Sequence, residues 1–175
     1  VAFFMHKQNN IFLIGLMGTG KTTVGRQLSR KLKMDFYDSD RVIEERTGAD
    51  IPLIFEKEGE AGFRKREADI IDELTQKKNI ILATGGGAVL NSENRNHLIN
   101  RGTVFYLKSN LKTLIDRTSK DKNRPLLHAD EPAEDILRRL LEERGPLYEA
   151  TADYTIETAN NSIHSVIQAI IKSLK

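Results

Sequence analysis

Residues Gly15-Leu16-Met17-Gly18-Thr19-Gly20-Lys21-Thr22 constrain this chain more than any other stretch, because they follow an apolar run, Ile11-Phe12-Leu13-Ile14, and lead into a helical pattern. The order is strand, glycine-rich turn, helix. Gly15, Gly18 and Gly20 open backbone conformations closed to residues with a Cβ, so that successive N–H groups can turn inward on a phosphate chain. The helix beginning near Lys21 adds its positive N-terminal end, Lys21 reaches the outer phosphates, and the Thr22 hydroxyl is placed to ligate Mg²⁺. Gly18, Thr19, Gly20, Lys21, Thr22 and Thr23 are therefore candidate nucleotide-binding residues. The plain alternative is a turn that merely joins a strand to a helix, but the four constrained positions and both flanking elements all fit a triphosphate loop.

The rest of the chain alternates strand and helix patterns. Val24, Leu28 and Leu32 mark a helix, and a short strand around Asp35-Phe36-Tyr37 ends in Asp38-Ser39-Asp40, where Ser39 or Asp40 is the expected cap of a helix through Arg46 that Gly48 stops. Asp50-Ile51-Pro52 starts another, which Gly59 ends, and a longer helix covers about Glu60 to Lys77. Buried strands are predicted at Ile80 to Ala83, running into Thr84-Gly85-Gly86-Gly87, and at Val104 to Leu107. Helices are predicted from Asn91 or Ser92 to Asn100, from Leu111 to Thr118, from Pro132 to Arg144 and from Ser162 to Leu174, with a fifth strand at Tyr154 to Glu157. Such alternation implies a parallel sheet covered on both faces.

At 175 residues the chain suits one domain, expected over residues 10–175 behind an extension over 1–9 in which Met5 is a candidate native start. Lys and Arg outnumber Asp and Glu by 27 to 25, a balance that argues against a nucleic-acid binder. The absence of cysteine excludes thiolate chemistry and disulfides and suits a reducing cytoplasm. No apolar run approaches the ~20 residues that span a bilayer, so no membrane partner is expected, and the small size leans towards a monomer. His6, His97, His128 and His164 show no ligand spacing and read as structural or surface residues.

Strand Ile80 to Ala83 ends without the aspartate that many phosphate-loop enzymes place at such a tip, so the magnesium carboxylate must come from Asp38-Ser39-Asp40. In a parallel sheet that tip shares an edge with the phosphate loop. Asp38 is the candidate for Mg²⁺, through water, and Asp40 is left to face a second substrate, the alternative being that both are helix-capping acids. A switch GTPase would carry an Asn-Lys-x-Asp element, which is absent. Gly85-Gly86-Gly87 reads either as close backbone approach to a ligand or as a tight connector. Arg64, which Glu67 can orient, and Arg144 offer the planar fork that matches a carboxylate; Phe55 and Phe63 read as core before pocket. The long polar connection over 119–131 reads as a lid that swings Arg124 onto the transferred phosphate, with Arg117 placed to stack over adenine, or else as an ordinary charged loop.

Together the loop at 15–25, Asp38-Ser39-Asp40, Phe63-Arg64 with Glu67, Gly85-Gly86-Gly87, Arg124-Pro125-Leu126-Leu127 and Arg144-Gly145-Pro146-Leu147-Tyr148 resemble the shikimate kinases over about Asn10 to Lys172. The resemblance implies a five-stranded parallel sheet of nucleoside-monophosphate-kinase type, a P-loop fold with a mobile lid, and transfer of the ATP γ-phosphoryl group to the 3-hydroxyl of shikimate. It implies that Asp40, Arg64, Gly86 and Arg144, in an acceptor region of about residues 38–67 and its surroundings, hold shikimate. It also implies that Lys21 and Arg124 meet the phosphates and that Thr22 with Asp38 surrounds Mg²⁺. The adenine loop falls near Ala159-Asn160-Asn161, where Asn161 is shorter than the polar side chain often found in the family. A different small-molecule kinase, such as a gluconate kinase, and a silent nucleotide-binding module are the competing readings.

Overall fold

Short apolar runs with a two-residue alternation of faces build the sheet, and helices bury both of its sides. The computed structural model describes residues 9–119 and 131–175; the expected extension up to residue 8, and the lid segment 120–130 with Arg124, lie outside them. Five strands, β1 (Ile11–Ile14), β2 (Asp35–Asp38), β3 (Ile80–Ala83), β4 (Thr103–Lys108) and β5 (Tyr154–Glu157), form one parallel sheet in the order β2-β3-β1-β4-β5. Phe12 lies opposite both Leu82 and Val104, and all three enter one core with Ile14, Leu74, Leu98 and Tyr148. Leu13 lies opposite Ala83 and Phe105, and the alternate residues Ile11, Leu13, Ile81 and Phe105 face the other core. That second core is closed by Val24 and Leu28 of α1 (Lys21–Leu32) and by Val166, Ile167 and Ile170 of α7 (Ile163–Leu174).

The first core is covered by α2 (Ser39–Thr47), α3 (Ile51–Thr75), α4 (Ser92–Arg101) and α6 (Ala133–Thr151), with α5 (Leu111–Thr118) beside them. The expected break at Gly59 is present as a left-handed residue, φ 73°, that kinks α3 into two pieces. Asp50, Asn91, Asn110 and Ser162 cap α3, α4, α5 and α7 through their side chains, and Gly48 closes α2 in the left-handed conformation. Two local expectations are corrected. Asp38, one residue earlier than expected, caps α2, accepting from the Asp40 and Arg41 N–H groups. Helix α6 does not stop at Arg144 but runs through Pro146 to Thr151, because Leu137, Leu140, Arg144 and Tyr148 keep one buried face across the proline.

The chain order reverses around β1, so the turns after β1, β2 and β3 open on one sheet edge, where ligands of such sheets collect. Register completes the alignment: Asp38 lies beside Ala83, and Ala83 beside Leu13, so the three strand tips end in one row.

At the opposite end Asn10 is 1% exposed; its side chain donates to Lys77 O at 2.7 Å and Arg101 O at 3.2 Å and accepts from Ile80 N at 3.0 Å. Asn10→Ala strands these buried backbone groups, and a loss on the order of 3 kcal/mol in urea unfolding is expected. An unchanged urea midpoint would show that the three contacts contribute nothing net.

Candidate functional site

In the turn after β1, Gly15, Gly18 and Gly20 have φ of 146°, 83° and 88°. A Cβ on Gly15 would also sit 2.5 Å from Leu107 O, so both conformation and space demand glycine there. Lys21, the first residue of α1, donates from Nζ to Gly15 O at 2.6 Å and Leu16 O at 2.8 Å and so bridges the loop. Helix α1 has no side-chain cap, in contrast to α2, α3, α4, α5 and α7, which leaves its first N–H groups directed at the loop. Thr19 is buried and its hydroxyl donates to Leu16 O at 2.9 Å, so that side chain shapes the loop rather than facing the cleft. Arg117, at the end of α5, donates to Gly18 O at 3.0 Å.

Gly18, Gly20, Lys21 and Arg117 line a cleft of about 810 Å³ that also takes in Thr22, Asp38, Asp40, Gly85 and Gly86. The two oxygens of Asp38 are divided. Oδ1 caps α2, while Oδ2 accepts from the Thr22 hydroxyl at 2.7 Å. Capping and a cleft-facing position thus coexist in one carboxylate. The paired oxygens of Thr22 and Asp38 are hard donors, and among the described residues no cluster of three or more His, Cys, Asp or Glu is placed to hold a metal. That donor set fits Mg²⁺, which takes few protein ligands and keeps waters and phosphate oxygens.

The run Gly85-Gly86-Gly87 follows β3 and is where the charged side chains converge. A Cβ on Gly85 would fall 2.6 Å from Asp40 Oδ1 and 3.0 Å from Glu67 Oε2, and one on Gly87 would overlap the Arg64 guanidinium. A Cβ on Gly86 would stand 3.4 Å from Arg144 Nη1. None of the three has a left-handed φ. At 85 and 87 it is space rather than conformational freedom that a Cβ would take, from the Asp40 and Glu67 carboxylates and the Arg64 guanidinium. The turn forms a floor, with Asp40 from α2, Arg64 and Glu67 from α3, and Arg144 from α6 laid against it.

Arg64 is held by Glu67 Oε1 at 2.9 Å and Glu60 Oε1 at 3.4 Å. Arg144 is 3% exposed. Two guanidinium groups brought from different helices to one turn make the geometry that a carboxylate ligand requires. Phe55 and Phe63 stack on each other with ring centroids 5.0 Å apart and belong to the core and its margin. Asn161 donates to Glu157 O and Ala159 O within its own loop, while its neighbour Ile163 lines the cleft. His97 rests 3.4 Å from Asp72, and His164 is exposed; His6 and His128 lie outside the described residues.

Sequence reasoning gave four contributors no part in the site. The Ser39 hydroxyl accepts from Gly85 N at 3.1 Å, Tyr148 donates to Gly86 O, and Arg41 and Glu44 line the cleft. Tyr148 carried a usable signal, since it stands one helical turn after Arg144 on the same face.

Burial pushes the Glu67 carboxyl above its ordinary value of 4.5, against the opposing pull of Arg64 and Arg144. Between that ordinary value and the raised one the unfolded chain has released a proton that the folded chain still holds, so this group makes stability fall as pH rises. Glu67→Gln is expected to remove that slope, read as urea midpoints measured from about pH 5 to 8. Wild-type and variant curves that run parallel would contradict it.

A family model described as shikimate kinase matches residues 17–175. A shikimate kinase of Vibrio parahaemolyticus is 53% identical over 171 residues, covering 98% of this chain and 99% of that protein. Shikimate kinase 1 of Escherichia coli is 52% identical over the same length, with the same shares covered. The solved structure of the Acinetobacter baumannii shikimate kinase in complex with shikimate superposes with a TM-score of 0.92 at 50% identity, over 95% of this chain and 92% of that one. With its P-loop, its parallel sheet and this degree of likeness over nearly its whole length, the chain belongs to the shikimate kinase family.

Proposed function

We propose that this chain transfers the γ-phosphoryl group of ATP to the 3-hydroxyl of shikimate, yielding shikimate 3-phosphate on the route to chorismate and the aromatic amino acids. The observation that carries the reading is the gathering of Asp40, Arg64, Gly86 and Arg144 around one glycine turn, next to a phosphate-binding loop. An anion-binding end, a triphosphate-binding end and an acid between them are what a kinase for an acidic alcohol needs.

In this reading Gly18, Thr19 and Gly20 offer backbone N–H groups to the phosphates, with Thr22 and Thr23 at the start of α1, and Lys21 turns from the loop carbonyls to the β- and γ-phosphates. Thr22 and Asp38 hold Mg²⁺, which when bound neutralises charge on the phosphate oxygens. Arg64 and Arg144 take the shikimate carboxylate, and Gly85, Gly86 and Gly87 bring backbone against the ring. Asp40 orients the 3-hydroxyl and accepts its proton as the bond to phosphorus forms. A loose transition state makes that placement matter more than early deprotonation. Arg117 and the loop of Asn161 flank the adenine. Arg124, outside the described residues, is assigned from the sequence alone to the closing lid and the transferred phosphate. One kinase domain over residues 10–175 carries these parts; its small size is in keeping with a monomer, and the cysteine-free chain with the reducing cytoplasm.

Coupled ADP release with Mg²⁺-ATP should be accelerated by shikimate and not by gluconate or nucleoside monophosphates. Equal rates with and without shikimate would overturn the proposal, and acceleration by gluconate alone would move the enzyme to another acceptor.

A further inference from the structure

Four peptide planes run through Gly85-Gly86-Gly87, and their orientation decides which backbone groups a ligand meets. The Gly85 N–H is held by the Ser39 hydroxyl at 3.1 Å. The Gly85 carbonyl accepts from Ala88 N at 3.1 Å, and the Gly87 carbonyl from Leu90 N at 3.1 Å, both within the short 3-10 turn Ala88–Leu90. The plane between Gly86 and Gly87 differs: among the described residues its carbonyl is held by a side chain, the hydroxyl of Tyr148. With glycine on both sides of this plane no Cβ resists its rotation, and a flip would exchange the positions of a carbonyl oxygen and an N–H.

We infer that Tyr148 is a positioning residue for the acceptor: by binding the Gly86 carbonyl it fixes the peptide plane between Gly86 and Gly87, and with it the backbone groups that the glycine turn presents. This inference rests on the shikimate kinase reading. All peptide bonds of the turn are trans, so holding the Gly86 carbonyl fixes the Gly87 N–H antiparallel to it, pointing away from Tyr148. A flipped plane would exchange a carbonyl and an N–H in the turn against which Asp40, Arg64 and Arg144 lie. The cost would fall on acceptor binding.

The tyrosine is built for this duty. It is fully buried, its ring packs on Tyr106 with centroids 5.0 Å apart, and its place on α6 one turn beyond Arg144 lets one helix set both the guanidinium and the glycine plane. Burial pushes its phenol well above the ordinary tyrosine value, while the Arg144 guanidinium pulls the other way, so the hydroxyl stays a proton donor throughout the working pH range. Continuation of α6 through Pro146 is what carries Tyr148 under the turn.

The test is steady-state kinetics of Tyr148→Phe, which keeps the ring against Tyr106 and removes the hydroxyl. The KM for shikimate should rise about tenfold, while the KM for ATP and kcat stay within about twofold of wild type, the pattern of lost ground-state binding. A residue with a purely structural role would lower the urea midpoint and leave the two KM values unchanged or move them together, and either result would overturn the inference. Should the variant not fold, 3-fluorotyrosine at position 148, a nearly isosteric and more acidic donor, takes its place: a shikimate KM that shifts by twofold or more at constant ATP KM supports the clamp, and no shift refutes it. Turnover of shikimate by the wild-type enzyme separates failure of this inference from failure of the kinase reading.

Discussion

Three consecutive residues without a Cβ, at the end of a buried strand, are the constraint from which the candidate acceptor site follows. Four charged side chains from three helices lie against that backbone, closer than any methyl group would allow at Gly85 and Gly87. The atoms met are the ends of side chains, so a methyl group there would displace the charged groups rather than the backbone. The glycines therefore act through the side chains packed on them. Glu67 is the most buried of these groups, and the two guanidinium groups beside it are what keep a carboxyl tolerable there.

The sheet supplies the second half of the geometry. Because β1 lies between β3 and β4, the phosphate loop, the tip of β2 and the glycine turn leave the sheet side by side, and the register that sets Asp38 beside Ala83 decides how far each reaches. Asp38 shows how economically the edge is built. One oxygen stabilises a helix start by about 1 kcal/mol and the other meets Thr22 of the neighbouring helix, so capping and ligand placement use one residue. The start of α1, which no side chain caps, completes the edge with a helix N-terminus whose dipole suits an anion.

Local signals made much of this legible in the sequence. Strand, glycine loop and helix at 11–32, the break at Gly59 and the strand at Ile80 each depend on a few neighbouring residues, and each stands where the pattern puts it. Asp38, Asp40, Arg64, Glu67 and Arg144 were recognisable by residue type, and their meeting depends on topology that alternation of strand and helix already implies. What local rules misplace is governed by contacts distant in sequence. Gly145-Pro146 is a strong stop, yet α6 passes through it because Tyr148 has a buried partner 62 residues away in Gly86. The glycine run announced close approach, but not that side chains of this same protein lie closest to Gly85 and Gly87. Thr19 matched a loop pattern by position while its hydroxyl turned inward.

The most direct test of the account is a calorimetric titration of Gly87→Ala with shikimate and, separately, with Mg²⁺-ATP. If the glycine floor is what seats Arg64 for the acceptor, the added methyl weakens shikimate binding by at least about a hundredfold, roughly the 2.7 kcal/mol of a displaced charge-assisted contact, and leaves the affinity for Mg²⁺-ATP within about twofold. Shikimate binding of wild-type strength in that variant would contradict the claim that the acceptor site is built on this turn.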